Sequence, residues 1–419
     1  MIEWSEMHVL IRDQIRKFVA AEIAPHREAI EFGDTPPYDI LRKLFATFGM
    51  RDLALAQFEA RIAKDKAREA AIARGEPAPE KRARRAGPEA MNEAAMKVIP
   101  VIELSRYSPG MVTALGVSVG LTANAILARG TIPQKERWVP DLVTLDKIGA
   151  WAITEPGSGS DAFGSMKSTA RRVRDGDGDG YLLNGQKTFI TNGPYADTIV
   201  FICKLDDGET PEPSRKIVTF VLDRGMPGLV QSKPLRKMGM HASPTGELFL
   251  ENVRVGRDRL LGETEDAPTR SATKETFTAE RTAVPAMALG IVEQCRMLSI
   301  EYAKTRIQFG RPIGEFQLVQ LKLAKMEVAR MNLQNLVFRQ IELAGEGRDM
   351  TLAEASACKL YAAQVTMEVA LEAVQLFGGN GYMAEYQVEQ LARDAKVLQI
   401  YGGTDEIQIS QIGRSLIAG

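Results

Sequence analysis

The sequence predicts an α+β protein: an N-terminal helical domain, a middle antiparallel β domain and a C-terminal bundle of about four helices. Two observations carry this expectation. Apolar residues recur at helical spacing in the first third of the chain, alternate from residue 148 to about 261, and return to helical spacing from residue 276 onward. A chain of 419 residues is also long for one hydrophobic core, so two or three packed domains are expected. The boundaries follow the changes of period, giving residues 1–147, 148–262 and 263–419. No internal repeat is visible.

In the first domain Leu10, Ile11, Ile15, Phe18 and Val19 fall on one helix face with charges opposite. Pro36-Pro37 breaks that run, and a short helix follows over residues 38–48. Residues 59–85 are rich in Ala, Arg, Lys and Glu and carry Gly75, Pro77 and Pro79. They read as an exposed helical hairpin or partly mobile arm within an insert of about 51–96. Residues 109–129 return to dense apolar helix. In the middle domain, residues 181–183 and 188–191 flank Asn184-Gly185, a strong hairpin signal. Residues 198–203, 217–222 and 248–250 are further strands. In the last domain Val319, Leu323, Met326, Leu333 and Val337 share one helix face, and Tyr361, Val365, Val369, Ala373 and Leu376 another. Helices after Glu280 and after residue 400 complete the bundle. Pro285 should weaken the hydrogen bond to the Arg281 carbonyl, so the first of these helices is expected to kink or begin there.

Composition sets aside several functions. Hydrophobic residues are 45% and charged residues 26%, the mixture of a soluble globular protein. A net charge of −1 gives no electrostatic case for nucleic acid or an anionic membrane. Cys203, Cys295 and Cys358 are scattered and unpatterned, which excludes a zinc motif and suggests reduced thiols in a cytoplasmic setting. No signal-peptide core is expected, nor any apolar run of membrane-spanning length.

Four segments carry candidate chemistry. Trp151-Ala152-Ile153-Thr154-Glu155-Pro156-Gly157-Ser158-Gly159-Ser160-Asp161 is a strand ending in a Gly- and Ser-rich loop. Such a loop can present N–H groups and hydroxyls to a flat polar heterocycle or a phosphate, although glycines alone also suit an ordinary tight turn. Gln186-Lys187-Thr188-Phe189-Ile190-Thr191-Asn192-Gly193 reads as one side of a hairpin, which leaves the order of its last three residues unexplained. Arg306-Ile307-Gln308-Phe309-Gly310-Arg311-Pro312-Ile313, followed by Phe316-Gln317, offers guanidinium forks that suit phosphate. A lone Arg at a helix end is more often a surface charge. The fourth segment carries Gln375-Leu376-Phe377-Gly378-Gly379-Asn380-Gly381-Tyr382, then Arg393-Asp394-Ala395-Lys396, then Ile400-Tyr401-Gly402-Gly403-Thr404-Asp405-Glu406-Ile407.

In this order the segments resemble the acyl-CoA dehydrogenase family, as does Gly130-Thr131-Ile132-Pro133-Gln134-Lys135-Glu136-Arg137-Trp138 earlier in the chain. The resemblance implies FAD as cofactor, an acyl-CoA substrate, a homotetramer and an electron-transfer flavoprotein as electron acceptor. It implies that Trp151, Ile153 and Thr154 line the flavin, with Phe189 (usually Trp) and Thr191 beside it. Ser160 would lie at the thioester end of CoA, within reach of the cofactor as well. Arg306, Gln308, Phe309, Phe316 and Gln317, with Gln375, Gly378 and Gly379, would hold the FAD of a neighbouring subunit. Thr404 and Glu406 would approach the flavin of their own subunit, and Arg281, Tyr401, Gly402 and Gly403 the substrate.

The family's reaction needs a desolvated carboxylate near the substrate α carbon. Its usual glutamate stands two residues before the threonine, where this chain has Gly402. A minority, including long-chain and isovaleryl-type enzymes, carries the glutamate on another helix directly before an arginine. Glu280-Arg281 stands at the matching place, so the resemblance assigns Glu280 as the base. Read on spacing alone, the pair is a solvated Glu-Arg at a helix start. Asp405 is the weaker competitor, Glu406 is read as structural, and His241 as a loop histidine. Gly402 opens one wall of the acyl pocket, which leaves long, branched, bulky and linear chains all open. Two alternatives stand beside this reading: a flavin enzyme of the same fold with oxygen-dependent chemistry, and a non-catalytic subunit that binds FAD and acyl-CoA.

Overall fold

The computed structural model describes residues 3–33, 35–76, 85–175, 178–266 and 269–418. The N-terminal helices are α1 (Glu6–Phe18), α2 (Arg27–Phe32), α3 (Tyr38–Thr47), α4 (Met50–Ala73), α5 (Pro88–Ser105), α6 (Pro109–Leu115), α7 (Asn124–Arg129) and α8 (Ile132–Val143). The middle strands are β1 (Gly149–Ala152), β2 (Thr169–Asp175), β3 (Gly178–Thr191), β4 (Thr198–Asp206), β5 (Ile217–Asp223), β6 (Leu229–Gln231) and β7 (Thr245–Gly256). The C-terminal part holds α9 (Thr269–Thr305), a small hairpin of β8 (Ile307–Gln308) and β9 (Arg311–Pro312), α10 (Gln317–Gly345), α11 (Leu352–Phe377), α12 (Gln387–Lys396) and α13 (Asp405–Ala418). The architecture is therefore helical, β and helical, as the changes of period imply.

Packing explains the elements and corrects several details. On α1, Ile15 and Phe18 are buried, whereas Leu10 points outward and is 60% exposed. The insert has two unlike halves. α4 lies outside, with Ile62 and Ala71 its buried residues, tied to α8 by the Lys135–Asp65 and Lys66–Glu136 ion pairs, each 2.7 Å. α5 departs from the exposed hairpin: Ala95, Ile99 and Ile102 form a stripe buried against the C-terminal helices, and Ala90 is buried ahead of them. Gly290 on α9 allows that contact, because a Cβ there would sit 2.2 Å from the Ile102 carbonyl oxygen. Pro77 and Pro79 lie outside the described residues.

The sheet runs β1-β4-β2-β3-β7-β6, with β5 on the other side of β4. The expected antiparallel pairing holds for β2–β3, β3–β7, β4–β5 and β6–β7, while β1 and β2 run parallel to β4. No hairpin forms at Asn184-Gly185. β3 runs straight through, with a register shift against β7 there, and β2 and β3 instead pair down to Asp175 and Gly178. Gly185 is needed for a close approach, not a turn: a Cβ on it would meet Ser168 Oγ at 2.2 Å.

α9 does not begin at Pro285: it is one helix from Thr269 through that residue. Two stretches, Pro109–Arg129 and Thr276–Thr305, are long and apolar enough to cross a membrane by length and composition, which corrects the expectation of none. In Thr276–Thr305 the apolar residues serve as core: Val284, Leu289, Ile291 and Val292 are buried in a cluster shared by the N- and C-terminal helices. The domains are further joined by Asn192, fully buried in a left-handed backbone conformation (φ +64). Its amide donates to the Ala114 and Gly149 carbonyls, each at 2.9 Å, and accepts from the Tyr38 hydroxyl at 3.0 Å. That gives Asn192 in the Thr191-Asn192-Gly193 run its reason.

Candidate active site

The turn between α12 and α13 is built on two adjacent glycines in the left-handed region, Gly402 (φ +62) and Gly403 (φ +89). Both carbonyls end on buried donors. Arg281 Nε donates to Gly402 O at 3.2 Å, and Lys359 Nζ to Gly403 O at 2.8 Å. Gln408 Nε2, from the first turn of α13, donates to both at 3.0 and 2.8 Å. Arg281 also reaches Ser356 Oγ on α11 at 3.2 Å and is only 6% exposed, so it lies beneath the turn, inside the bundle.

Glu280 sits on α9 one residue before that arginine, and its carboxyl lies against the turn. A Cβ placed on Gly402 would be 3.5 Å from Glu280 Cδ, 3.6 Å from Oε1 and 3.7 Å from Cγ, which is van der Waals contact. The two positions are 122 residues apart in sequence, yet the carboxyl from α9 fills the volume beside the glycine. Desolvation by the surrounding protein pushes the Glu280 pKa up to about 7, opposed by the positive charges of Arg281 and Lys359. Burial raises the Tyr401 phenol in the same pocket; its hydroxyl meets Thr113 on α6 and lies 3.6 Å from Met287 Sδ. Asp405 is held by Lys359 at 3.5 Å.

The first flavin segment packs onto the same helix. Trp151 on β1 meets the Phe277 ring edge-to-face at 5.6 Å, one turn before Glu280 on α9. Ile153 is buried and Thr154 half-buried, with Thr154 O accepting from Thr188 N at 2.9 Å. A buried ion pair supports this loop: Lys187 Nζ donates to Glu155 Oε1 at 2.8 Å and to Ile153 O at 3.0 Å. Ser160 is exposed, Thr191 is half-buried, and Phe189 stands out from the sheet, 69% exposed with φ +56. Thr404 Oγ1 accepts from Ile407 N at 3.4 Å, and Glu406 is exposed.

The Arg306 and Gln375 segments meet at one end of the bundle. The Tyr302 ring stacks on Phe377 at 4.0 Å, and its hydroxyl accepts from Asn380 Nδ2 at 3.0 Å. Around them Arg306, Gln308, Gln375, Gly378 and Gly379 are exposed. Phe309, at the tip of the β8–β9 hairpin, is 93% exposed, with φ +52. Phe316 is half-buried under the Arg311 guanidinium, and Gln317 is exposed. A Cβ on Gly157, Gly159, Gly378 or Gly379 would meet nothing within 4 Å. Open glycine backbone, exposed aromatic rings and guanidinium forks are what a large, flat, anionic dinucleotide requires, so the residues present fit FAD.

Three domains of the chain match family models. Residues 59–146 match the acyl-CoA dehydrogenase N-terminal domain, 150–253 the middle domain and 270–417 the C-terminal domain. An acyl-CoA dehydrogenase of Bacillus subtilis (strain 168) is 35% identical over 99% of both chains. The chain belongs to the acyl-CoA dehydrogenase family. The solved butyryl-CoA dehydrogenase of Megasphaera elsdenii superposes with a TM-score of 0.79 at 32% identity, covering 100% of each chain. An acyl-CoA dehydrogenase of Bacillus anthracis solved with FAD gives 0.79 at 26% identity, covering 99% of this chain and 68% of that one. FAD is accordingly the cofactor of this acyl-CoA dehydrogenase family enzyme.

Sequence reasoning missed Lys359, Gln408 and the Glu155–Lys187 pair. Lys359 had one signal: it lies on a helix face otherwise made of Ala355, Ala362 and Thr366, where a solvated lysine has no place. Gln408 and Glu155 had none beyond their position beside motifs.

Proposed function

We propose that this enzyme removes the α proton of its acyl-CoA through Glu280, giving the trans-2-enoyl-CoA. The observation that carries the proposal is the contact of the Glu280 carboxyl with the space beside Gly402. That carboxyl reaches from α9 the spot a side chain at 402 would address. A base must be ionised yet poorly solvated, and a pKa near 7 serves both needs. FAD, when bound, accepts the hydrogen that leaves the β carbon with its electron pair. Asp405 is a poor rival, because Lys359 holds it. Arg281 acts from beneath, fixing the glycine turn against α11.

We further infer a homotetramer. Leu318, Leu321, Val328 and Met331 on α10 and Ile409, Leu416 and Ile417 on α13 expose apolar side chains, and α10 starts directly after the open Arg306 hairpin. A neighbour covering them would complete the nucleotide site. The electron acceptor we infer, an electron-transfer flavoprotein, rests on the family resemblance. The free cysteines Cys203, Cys295 and Cys358 suit a reducing, cytoplasmic compartment.

The test is anaerobic bleaching of the flavin band by a panel of linear, branched and aryl acyl-CoAs, on wild type and Glu280→Gln. Wild type is expected to bleach with at least one thioester. The variant should bind FAD and product but reduce about 10³-fold more slowly. Equal rates would place the base elsewhere.

A further inference from the structure

Among the groups that hold the glycine turn, Lys359 is the one whose presence is hardest to explain as packing. Its side chain is fully buried. An ammonium is strongly hydrated, and taking it out of water is costly unless partners replace that water. Here the partners are one carbonyl, Gly403 O at 2.8 Å, and one carboxylate, Asp405 Oδ1 at 3.5 Å. Neutral Gln408 already donates to that same carbonyl at 2.8 Å, so a hydrogen bond alone gives no reason for a charge. Lys359 also comes from α11, which carries neither the candidate base nor the turn.

We propose that Lys359 is a positioning residue for the base: its ammonium locks Gly403 so that the space at Gly402 stays open to the Glu280 carboxyl, and its charge favours the ionised form of that carboxyl. The inference rests on the reading of Glu280 as the base. Several groups face Glu280: Arg281 from its own helix, Lys359 from α11, and the Tyr401 phenol from the turn; Asp405 of α13 lies beyond Lys359. Desolvation raises the Glu280 pKa, and Arg281 and Lys359 oppose that rise. Arg281 is already committed to Gly402 O and Ser356. Lys359 adds a second positive charge from another helix, smaller in effect than that of Arg281, and Asp405 tempers it. The chemistry gives opposite signs for the two partners. Loss of the ammonium should raise the base's pKa, and loss of the Asp405 charge should lower it.

The experiment is the pH dependence of flavin reduction by an acyl-CoA that bleaches the wild type, in the FAD-loaded enzyme. Lys359→Met should move the acid limb up by about one unit. Reduction below the limb then slows about tenfold, while Lys359→Arg restores the limb even at a lower maximal rate. Asp405→Asn should move it down. A limb that stays in place in Lys359→Met while the rate falls would overturn the proposal, leaving a structural lysine only. If Lys359→Met fails to fold or to hold FAD, Asp405→Asn decides, because it leaves the ammonium in place; no downward shift there is fatal. Glu280→Gln run in parallel separates the two readings. If it reduces flavin like the wild type, the base assignment falls; if it is inactive while the limbs of the other variants do not move, Lys359 alone loses its role.

Discussion

Two glycine-rich turns of this protein look alike in sequence and opposite in space. At Gly402-Gly403 both carbonyls are bonded to buried side chains, and the Glu280 carboxyl packs beside Gly402. At Gly378-Gly379 the backbone is exposed, a Cβ would meet nothing, and the surrounding Arg306, Gln308 and Phe309 face solvent. The first turn is finished within one chain; the second is built for something the chain does not itself contain. Glycine serves a buried conformation in one place and an approach surface in the other.

Substitution can break that contrast. The largest effect is expected from Glu280→Gln on flavin reduction. Next comes Gly403→Ala: its Cβ would lie 2.8 Å from Gln408 Nε2 and 3.2 Å from Arg281 Nη2, at φ +89. That strain should cost about 1–3 kcal/mol of stability, read by urea denaturation, and should slow reduction with it. The same change at Gly379, where nothing lies within 4 Å, should alter stability by less than about 0.5 kcal/mol. It should weaken FAD binding instead. Arg306→Ala should weaken FAD about tenfold or more by equilibrium titration, with no change in unfolding. If Gly379→Ala destabilised the fold as much as Gly403→Ala, the two turns would not differ as described.

Much of the fold was legible because helix and strand periods differ and each domain is long enough to show its own. The details that failed were decided by partners far away in sequence. Asn184-Gly185 carries a turn signal, but Ser168 crowds Gly185 and β7 pairs on both sides of it, so the strand continues. The insert reads as exposed, yet Ala90 and Ala95 at its end are buried, because the helix they begin, α5, packs on α9 at Gly290. In the site, the motif order pointed to Glu280 and Gly402 separately. Their contact, and the lysine that underlies it, are products of helices from three parts of the chain.

The buried turn also exacts a cost that the open one does not. The Glu280 carboxyl has a folded-state pKa of about 7 against an ordinary 4.5, so the folded protein binds this proton more tightly than the unfolded chain. Its contribution to stability is therefore present in acid and is lost as pH rises from the ordinary value through 7. The full shift would correspond to about 3 kcal/mol; the side chain keeps some solvent contact, so about 1–2 kcal/mol is the reasonable expectation. Glutamine at 280 removes the charge but keeps the shape. Glu280→Gln should accordingly be the more stable protein at pH 8, and the difference should shrink through pH 5 and vanish below about pH 4, read as urea midpoints of the FAD-loaded forms. A functional site held at some expense to stability behaves in this way. Equal midpoints at both pH values would mean that the carboxylate is well solvated and that Glu280 lacks the raised pKa a base at this site requires.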